Sequence, residues 1–321
     1  MSPLGTLYRA SARWRRPRGI VTGTCGTGGS LQSRRGLFDG ALDPDRIPGS
    51  CLIRRGRPPT RDRGRRYHVS EAGQLGLNNR VTEDWSILLL HGVQSSQLTW
   101  WRLKEDLQDL GWQVHVADLL GHGSRNAAGP AELTVEDMAR DVLAQVPGPV
   151  DVLAGHSLGS VVALTLVGLK QDFCDRVVIE DPPGLAGSLE LGDAAAGVEE
   201  SVRVAQADPA GTVVALLEQN PVWSRRDAEY SVQNRLRLDL ERVARFLRTK
   251  RWDLQALVQA CPVPVQLLAA TQGTTLNDPD RSVLMDRLPA EHVAVIESGH
   301  VIHRERPGLW LHHVLRFADT T

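Results

Sequence analysis

The sequence predicts an α/β fold, with a doubly wound, mostly parallel sheet and a helical cap insertion. Short apolar runs alternate with longer amphipathic stretches, which is the pattern of parallel strands joined by helices. Several runs end in Gly and His, as expected where buried strands deliver polar groups to one edge of a sheet. One interval of about 80 residues shows no strand pattern at all, which indicates an insertion.

The chain has 321 residues, a length that favours one large α/β domain over two independent ones. An early edge strand is predicted at 67–70. Buried strands are predicted at 87–90, 114–117, 150–154, 177–179, 265–269 and 293–296. Helices are predicted between them at 98–110, 135–146, 158–169, 281–288 and 307–317. Residues 66–321 therefore form the predicted globular domain.

The N-terminal segment differs in charge from the rest of the chain. Residues 1–66 carry a charge of +11 and the remainder carries −12, so the net charge of −1 conceals an asymmetry. Gly, Pro and Arg abound there without strand-forming runs, which predicts a disordered extension over residues 1–65. A targeting or binding role remains an alternative. The segment lacks the apolar core of a secretory signal, and we expect a cytoplasmic protein.

Composition excludes several classes of partner. No run approaches the ~18 apolar residues of a membrane span, so we expect none. The basic segment has no aromatic residues interleaved with its arginines beyond Trp14, and we expect no nucleic-acid binding. The cysteines, four in all, show no C-x-x-C spacing, and Cys174 and Cys261 adjoin strand-like runs as buried thiols would. No phosphate loop or metal-ligand cluster stands out, so we predict no cofactor, no metal and a small-molecule substrate.

A serine motif lies between the strand-like run at 150–154 and the helical stretch at 158–169. Residues 155–159 read Gly-His-Ser-Leu-Gly, which matches the G-x-S-x-G nucleophile elbow in a strand–turn–helix context. A serine on such a turn has strained backbone angles and holds its hydroxyl clear of the sheet, and the flanking glycines avoid collisions. We therefore predict that Ser157 is a nucleophile.

Further motifs occur in the order that such a serine needs. The run at 87–90 leads to His91-Gly92-Val93, residues 118–124 read Asp-Leu-Leu-Gly-His-Gly-Ser, and the run at 293–296 leads to Gly299-His300. With these motifs the sequence resembles the α/β-hydrolase family, in particular its single-domain members with a helical cap, over about residues 66–319. The resemblance is specific for the fold and not for the substrate.

The resemblance implies roles for individual residues. His300 is the expected base, since it follows the last strand in Ser…acid…His order. The backbone N–H groups of Leu158 and Val93 are the expected oxyanion hole, the first at a helix N-terminus and the second by similarity. His156 is expected to pack or hydrogen-bond locally. The remaining histidines are interpreted as loop-fixing residues (His91, His122) or as solvated or helix-face residues (His303, His312, His313).

The acid is where the sequence departs from the family's commoner pattern. After the strand at 264–268, the usual Gly-x-x-Asp loop would place the acid at Thr274, which cannot serve. The run at 177–179 instead ends in Glu180 and Asp181, which alternation directs to opposite sides. We favour Asp181, with Asp278 and Glu180 as alternatives, and the absence of a functional acid also stays open.

The interval without strands is predicted to be a helical cap at about residues 183–258, which forms the roof of the pocket. Helical patterns occur there at 199–206, 211–219 and 239–248. A structural excursion without substrate contact is the alternative. The expected function is a serine hydrolase that forms an acyl-serine on a small apolar ester, thioester or related carbonyl substrate. A carbon–carbon bond hydrolase, a perhydrolase and a non-catalytic ligand-binding protein of the same fold are alternatives.

Overall fold

The computed structural model describes residues 85–146, 148–184, 191–249 and 251–319. The predicted extension at 1–65 and the predicted edge strand at 67–70 lie outside these ranges, as do Cys25 and Cys51. Everything below concerns the described residues.

The centre of the fold is a six-stranded sheet in the order β2-β1-β3-β4-β5-β6. Its strands are β1 (Ser86–Leu90), β2 (Gln113–Ala117), β3 (Val150–His156), β4 (Cys174–Glu180), β5 (Val265–Ala270) and β6 (Val293–Ile296). Every pairing of neighbours in this sheet is parallel. The predicted doubly wound parallel sheet is therefore confirmed, with each predicted buried strand present.

Helices follow the strands in the expected alternation. Outside the insertion they are α1 (Trp101–Asp109), α2 (Val135–Gln145), α3 (Leu158–Leu169), α9 (Asp278–Met285), α10 (Ile302–Glu305) and α11 (Pro307–Ala318). Between β4 and β5 the described helices are α4 (Leu191–Ala207), α5 (Pro209–Gln219), α6 (Arg225–Leu236), α7 (Leu240–Thr249) and α8 (Leu254–Ala260). We call α4–α7, residues 191–249, the helical cap. None of the described helices is both long and apolar enough to cross a bilayer.

Both faces of the sheet are buried, which explains why its strands are continuous apolar runs rather than alternating ones. In β1, Leu88 and Leu90 belong to one apolar cluster, whereas Ile87 and Leu89 belong to the other. Polar side chains can then emerge only at the strand ends. The carboxyl ends of all six strands lie at the same edge, so residues that follow β1, β3, β4, β5 and β6 share one rim.

Helices α6 and α9 are among those that differ from the sequence prediction, and the reason for each is visible. Helix α6 was missed because it is strongly polar, yet its start is fixed by a capping box between Ser224 and Asp227. Helix α9 begins at Asp278 rather than at 281. The Asn277 side chain accepts a hydrogen bond from the backbone N–H of Asp280, and a proline occupies the first turn. Both differences arise from capping interactions rather than from hydrophobic periodicity.

Candidate active site

Backbone strain is concentrated at one edge of the sheet. Among the described residues, the non-glycine residues with positive φ are Gln94 (58°), Ser157 (51°) and Asp181 (39°). They follow β1, β3 and β4, which are adjacent in the sheet. Left-handed backbone costs about 1–3 kcal/mol for such residues and persists where the surrounding structure enforces it, commonly at functional sites. The strain therefore marks this rim as the candidate site.

The turn at Ser157 has the geometry of a nucleophile elbow. Ser157 lies between the end of β3 and the start of α3 with φ 51° and ψ −120°. A Cβ on Gly155 would lie 2.2 Å from the Gly159 carbonyl oxygen, and a Cβ on Gly159 would lie 2.4 Å from the Leu90 oxygen. Only glycine fits at either position, because real Cβ atoms do not approach oxygen so closely. The motif is thus required by the close packing of α3 against β1 and β3.

His300 is paired with Asp181 across the edge of the sheet. Its Nδ1 lies 2.6 Å from Asp181 Oδ2, and the aspartate is fully buried whereas the imidazole is 26% exposed. The other carboxylate oxygen, Oδ1, accepts hydrogen bonds from the Ala270 N–H at 3.0 Å and the Thr274 hydroxyl at 2.8 Å. Asp181 acts only as an acceptor when ionised, so His300 donates from Nδ1 and its Nε2 is left to accept a proton.

The Thr274 contact bears on the missing acid at position 274 of the sequence. Thr274 occupies the loop position where the commoner pattern has the acid, and its hydroxyl donates to the carboxylate that follows the neighbouring strand. Since β4 and β5 are adjacent and parallel, their carboxyl ends meet at one place. A carboxylate after β4 can therefore serve the histidine that a carboxylate after β5 would serve.

His156 joins the His300 loop to the elbow. Its Nε2 lies 3.0 Å from the His300 carbonyl oxygen, and the two rings are 4.6 Å apart between centroids. Burial lowers the pKa of His156 well below its ordinary value. The ring is therefore neutral and donates from Nε2, which leaves its buried Nδ1 without a partner.

The expected nucleophile and the expected base are not hydrogen-bonded to each other in the described part of the chain. Within the described part of the chain, no hydrogen bond joins the Ser157 hydroxyl to the His300 ring. Catalytic hydrogen bonds are often long in unliganded sites and tighten when substrate binds. Proton transfer between the two side chains would require them to come within hydrogen-bond distance of each other.

The two alternative acids lie elsewhere. Glu180 points to the opposite side from Asp181, and its carboxylate accepts from the backbone N–H and Nδ1 of His303 and from Trp310 Nε1. Burial raises the pKa of Glu180, and these donors oppose the increase. Asp278 lies in the first turn of α9, where its side chain is 84% exposed and paired with Arg281. The structure brings Asp181 to His300 and brings neither alternative there.

The two expected oxyanion donors flank the serine. Leu158 is the first residue of α3, where backbone N–H groups have no partner within the helix. Gly92 packs directly on the elbow, since a Cβ there would lie 2.9 Å from Ser157 Cβ. Val93 follows Gly92, so its amide lies on a loop that touches the nucleophile. Helix α3 also directs its positive dipole end toward this point.

Two buried histidines support the same loops, in agreement with the loop-fixing interpretation. His91 Nε2 accepts a hydrogen bond from the Leu119 N–H at 3.0 Å, and its Nδ1 lies 2.8 Å from the Gly92 oxygen. Nδ1 of His122 lies 3.0 Å from the Leu120 oxygen. Burial lowers the pKa of His91 and lowers that of His122 to about 3. Both rings are neutral, which suits a structural role.

His303 is the residue that sequence reasoning misjudged. His303 lies on helix α10 but is not solvated, because it is buried and hydrogen-bonded at both ring nitrogens. Its partners are Glu180 and Thr99, which are 123 and 204 residues away along the chain. The sequence held one indication of this position. His303 comes three residues after the expected base, on the short helix that follows the His300 loop.

One further contact joins the helical cap to this edge of the sheet. The Ser201 hydroxyl on α4 donates to the side-chain oxygen of Gln94, which ties the helical cap to the loop that carries Val93.

Among the described residues, no group of three His, Cys, Asp or Glu side chains has the geometry of a metal site. Cys174 and Cys261 are free thiols, and burial raises the pKa of Cys174 to about 12.

Comparison with known proteins agrees with the architecture. Residues 87–312 match the alpha/beta hydrolase family. An uncharacterized protein of Mycobacterium tuberculosis is 25% identical over 264 residues, which cover 74% of this chain and 76% of that protein. The lipase LipV of the same organism is 35% identical over 98 residues, 30% of this chain and 36% of the lipase. A thermophilic esterase from Thermogutta terrifontis superposes with a TM-score of 0.57 at 24% identity, covering 74% of this chain and 91% of the esterase.

Proposed function

We propose that this chain, which belongs to the α/β-hydrolase family, is a serine hydrolase that acts through an acyl-serine intermediate. The proposed substrate is a small, mainly apolar ester, thioester or related carbonyl compound. The observation that carries the proposal is the buried Asp181 carboxylate, 2.6 Å from Nδ1 of a partly exposed His300, at the sheet edge where the strained Ser157 follows β3. A hydroxyl on such a turn needs a base of this kind to become a nucleophile.

The proposed reaction begins with attack of Ser157 Oγ on the substrate carbonyl carbon. The hydroxyl proton passes to His300 Nε2, and the imidazolium that forms is stabilised by Asp181. The negative oxygen of the tetrahedral intermediate accepts hydrogen bonds from the Leu158 and Val93 amides. His300 then returns the proton to the leaving alcohol or thiol, and water attacks the acyl-serine by the same steps in reverse.

The surroundings of the site support this assignment. Asp181 has its second oxygen occupied by Ala270 and Thr274, so only Oδ2 is directed at the histidine. That arrangement holds His300 in the tautomer with a free Nε2, the form that accepts a proton. The family and the named lipase and esterase relatives support hydrolysis of an ester bond. The retained and fully bonded carboxylate argues against a binding protein that has lost its acid.

Labelling with a fluorophosphonate probe tests the proposal. The wild-type protein should be labelled on Ser157 and should hydrolyse short p-nitrophenyl esters. Ser157→Ala should abolish labelling, and either Ser157→Ala or His300→Ala should reduce kcat by about 10⁴-fold or more. Ser282→Ala, which changes an exposed serine on α9, is the matched control and should leave both measurements unchanged. An unlabelled wild-type protein whose turnover is indifferent to Ser157→Ala would refute the proposal.

A further inference from the structure

A second histidine–carboxylate pair lies behind the candidate active site. His303 Nδ1 is 2.8 Å from Glu180 Oε1, and the same carboxylate also accepts from the His303 backbone N–H and from Trp310 Nε1. An ionised Glu180 only accepts, so His303 donates to it from Nδ1 beside the backbone and indole N–H donors. Its Nε2 must then be an acceptor.

From that nitrogen the chain of hydrogen bonds continues through Thr99 and Arg304. The Thr99 hydroxyl donates to His303 Nε2 at 2.7 Å and accepts from Arg304 Nε at 2.9 Å. Arg304 Nη1 in turn donates to the Ser231 hydroxyl at 2.6 Å. All of these side chains are buried. Arg304 only donates, to Thr99 on one side and to Ser231 on the other, so the Thr99 hydroxyl directs its own proton at His303 Nε2.

The far end of this chain lies on the helical cap. Ser231 belongs to α6, and the same face of that helix carries Asp227 and Asn234, at spacings of four and three residues. Trp101 Nε1 donates to Asp227 at 2.9 Å, and the Ser96 hydroxyl donates to Asn234 at 2.6 Å. Helix α6 is thus attached along one polar face to the segment that follows β1.

The near end of the chain lies beside the expected catalytic groups. Glu180 adjoins Asp181, and His303 is one helical turn after His300. The Glu180 carbonyl oxygen also accepts the Ser157 N–H at 2.9 Å. Two neighbouring residues of one strand end therefore hold two histidines of one loop.

We infer that the hydrogen-bonded chain from Glu180 through His303, Thr99 and Arg304 to Ser231 positions His300 for proton transfer and couples it to the helical cap. These are positioning residues, since none of them touches the reacting atoms. The inference rests on the proposed function, because it assigns them an effect on the reaction of Ser157. It predicts that loss of one hydroxyl in the chain slows turnover while substrate binding is retained.

Thr99→Val is the most direct test, because valine has the shape of threonine without the hydroxyl. It leaves His303 Nε2 without a donor and Arg304 Nε without an acceptor. A displacement of about 1 Å at a catalytic group costs roughly 10²-fold in rate, so kcat for p-nitrophenyl acetate should fall by about 10- to 100-fold with KM nearly unchanged. Thr99→Ser retains the hydroxyl and should recover most of the wild-type kcat.

The matched control is Thr212→Val in the helical cap. Thr212 is buried like Thr99, but its hydroxyl contacts only backbone oxygens of Val204 and Asp208. This control should have wild-type kcat. The downfield proton resonance of His300 Nδ1–H, assigned by its loss in His300→Ala, should shift or broaden in Thr99→Val and not in Thr212→Val. A residue that only stabilises the fold would lower Tm and leave this resonance and kcat in place.

The outcomes separate this inference from the proposed function. Absence of fluorophosphonate labelling in the wild-type protein refutes the proposed function and, with it, the inference. Normal wild-type labelling together with unchanged kcat in folded Thr99→Val overturns the inference alone. If Thr99→Val does not fold, Ser231→Ala serves instead, since it removes the hydrogen bond of Arg304 to α6 and leaves the Arg304–Asp227 ion pair in place. Unchanged kcat in folded Ser231→Ala then overturns the coupling to the helical cap.

Discussion

The two histidine–carboxylate pairs of this protein are built alike and differ in exposure. In the inner pair, Glu180 and His303, both side chains are 1% exposed, and both ring nitrogens of His303 are hydrogen-bonded. In the outer pair, Asp181 and His300, the carboxylate is buried, whereas the imidazole is 26% exposed and hydrogen-bonded through Nδ1. A buried imidazole that is hydrogen-bonded at both nitrogens can hold its neighbours in place. An imidazole with one nitrogen free of hydrogen bonds can accept a proton. Accessibility of Nε2 therefore separates the proposed base from its support.

The carboxylates also differ in what surrounds them. Glu180 receives three donors, two of them from the same histidine, so it is bound as a structural anchor. Asp181 has one oxygen occupied by Ala270 and Thr274 and the other directed to His300. Its φ of 39° turns the chain away from the strand direction immediately after Glu180. Adjacent acids thereby serve opposite sides of β4.

The largest expected effect comes from Asp181→Asn. Ala270 N–H and the Thr274 hydroxyl donate to Oδ1, so they hold the amide oxygen of the asparagine on their side. The amide NH₂ then faces His300 Nδ1 and forces the proton onto Nε2, the wrong tautomer for a base. We expect kcat for p-nitrophenyl acetate to fall by about 10⁴-fold, with the protein still folded.

Asp278→Asn is the matched control for this prediction. Asp278 is exposed on α9 and paired with Arg281, away from His300. The substitution should change kcat less than twofold, on the general expectation that exposed ion pairs contribute about 0–1 kcal/mol. A large loss in Asp278→Asn and a small one in Asp181→Asn would reverse the assignment of the acid.

An intermediate effect is expected from Gly92→Ala, which would displace His156, the residue that lies between the two pairs. His156 separates them, with its ring 4.6 Å from the His300 ring and 5.0 Å from the His303 ring. A Cβ on Gly92 would lie 2.9 Å from Ser157 Cβ and 3.0 Å from His156 Nδ1. Both neighbours must shift, and we expect kcat to fall by roughly 10²-fold.

Gly168→Ala is the control for this substitution. Gly168 lies in α3, the helix that begins at the elbow, and a Cβ there meets nothing within 4 Å. It should raise the free energy of unfolding by about 0.5–1 kcal/mol through helix propensity and leave kcat unchanged. Equal kcat in Gly92→Ala and Gly168→Ala would show that the elbow tolerates displacement and that the packing argument is wrong.

The fold was predictable because buried parallel strands are continuous apolar runs, and each run in the described range became a strand. The elbow was predictable because Gly155 and Gly159 allow contacts that no other residue permits. Alternation also indicated that Glu180 and Asp181 face opposite sides. Which of them meets His300 depends on the left-handed backbone at Asp181 and on the β4–β5 register, and neither is written in local sequence.

The inner pair was not predictable for a related reason. The burial of His303 depends on Thr99 and Glu180, which are distant in sequence and meet only when the sheet is assembled.

Helix α6 was missed because its buried face consists of small and polar residues such as Ala228, Ser231 and Asn234. Ser231 and Asn234 form hydrogen bonds to residues outside the helix and add nothing to an apolar stripe, so hydrophobic periodicity gives no signal.

The smallest expected effect concerns stability in acid and extends the contrast between buried and open histidines. Burial lowers the pKa of His122 from 6.5 to about 3 and lowers those of His156 and His303 well below 6.5. Between pH 6.5 and 3 the unfolded chain binds protons that the folded protein does not. The free energy of unfolding must therefore fall as the pH falls through this window, and it is unaffected by these groups above it.

His122→Asn isolates one of these protons, because an asparagine amide can replace the Nδ1–H bond to the Leu120 oxygen. Carboxylates also titrate in this window, but they contribute equally to both proteins. The slope of unfolding free energy against pH, measured by urea denaturation between pH 6 and 4.5, should therefore be smaller in the variant by up to about 1.4 kcal/mol per pH unit. Equal slopes would mean that His122 is protonated in the folded protein, which is incompatible with a neutral, loop-fixing ring buried beside His91.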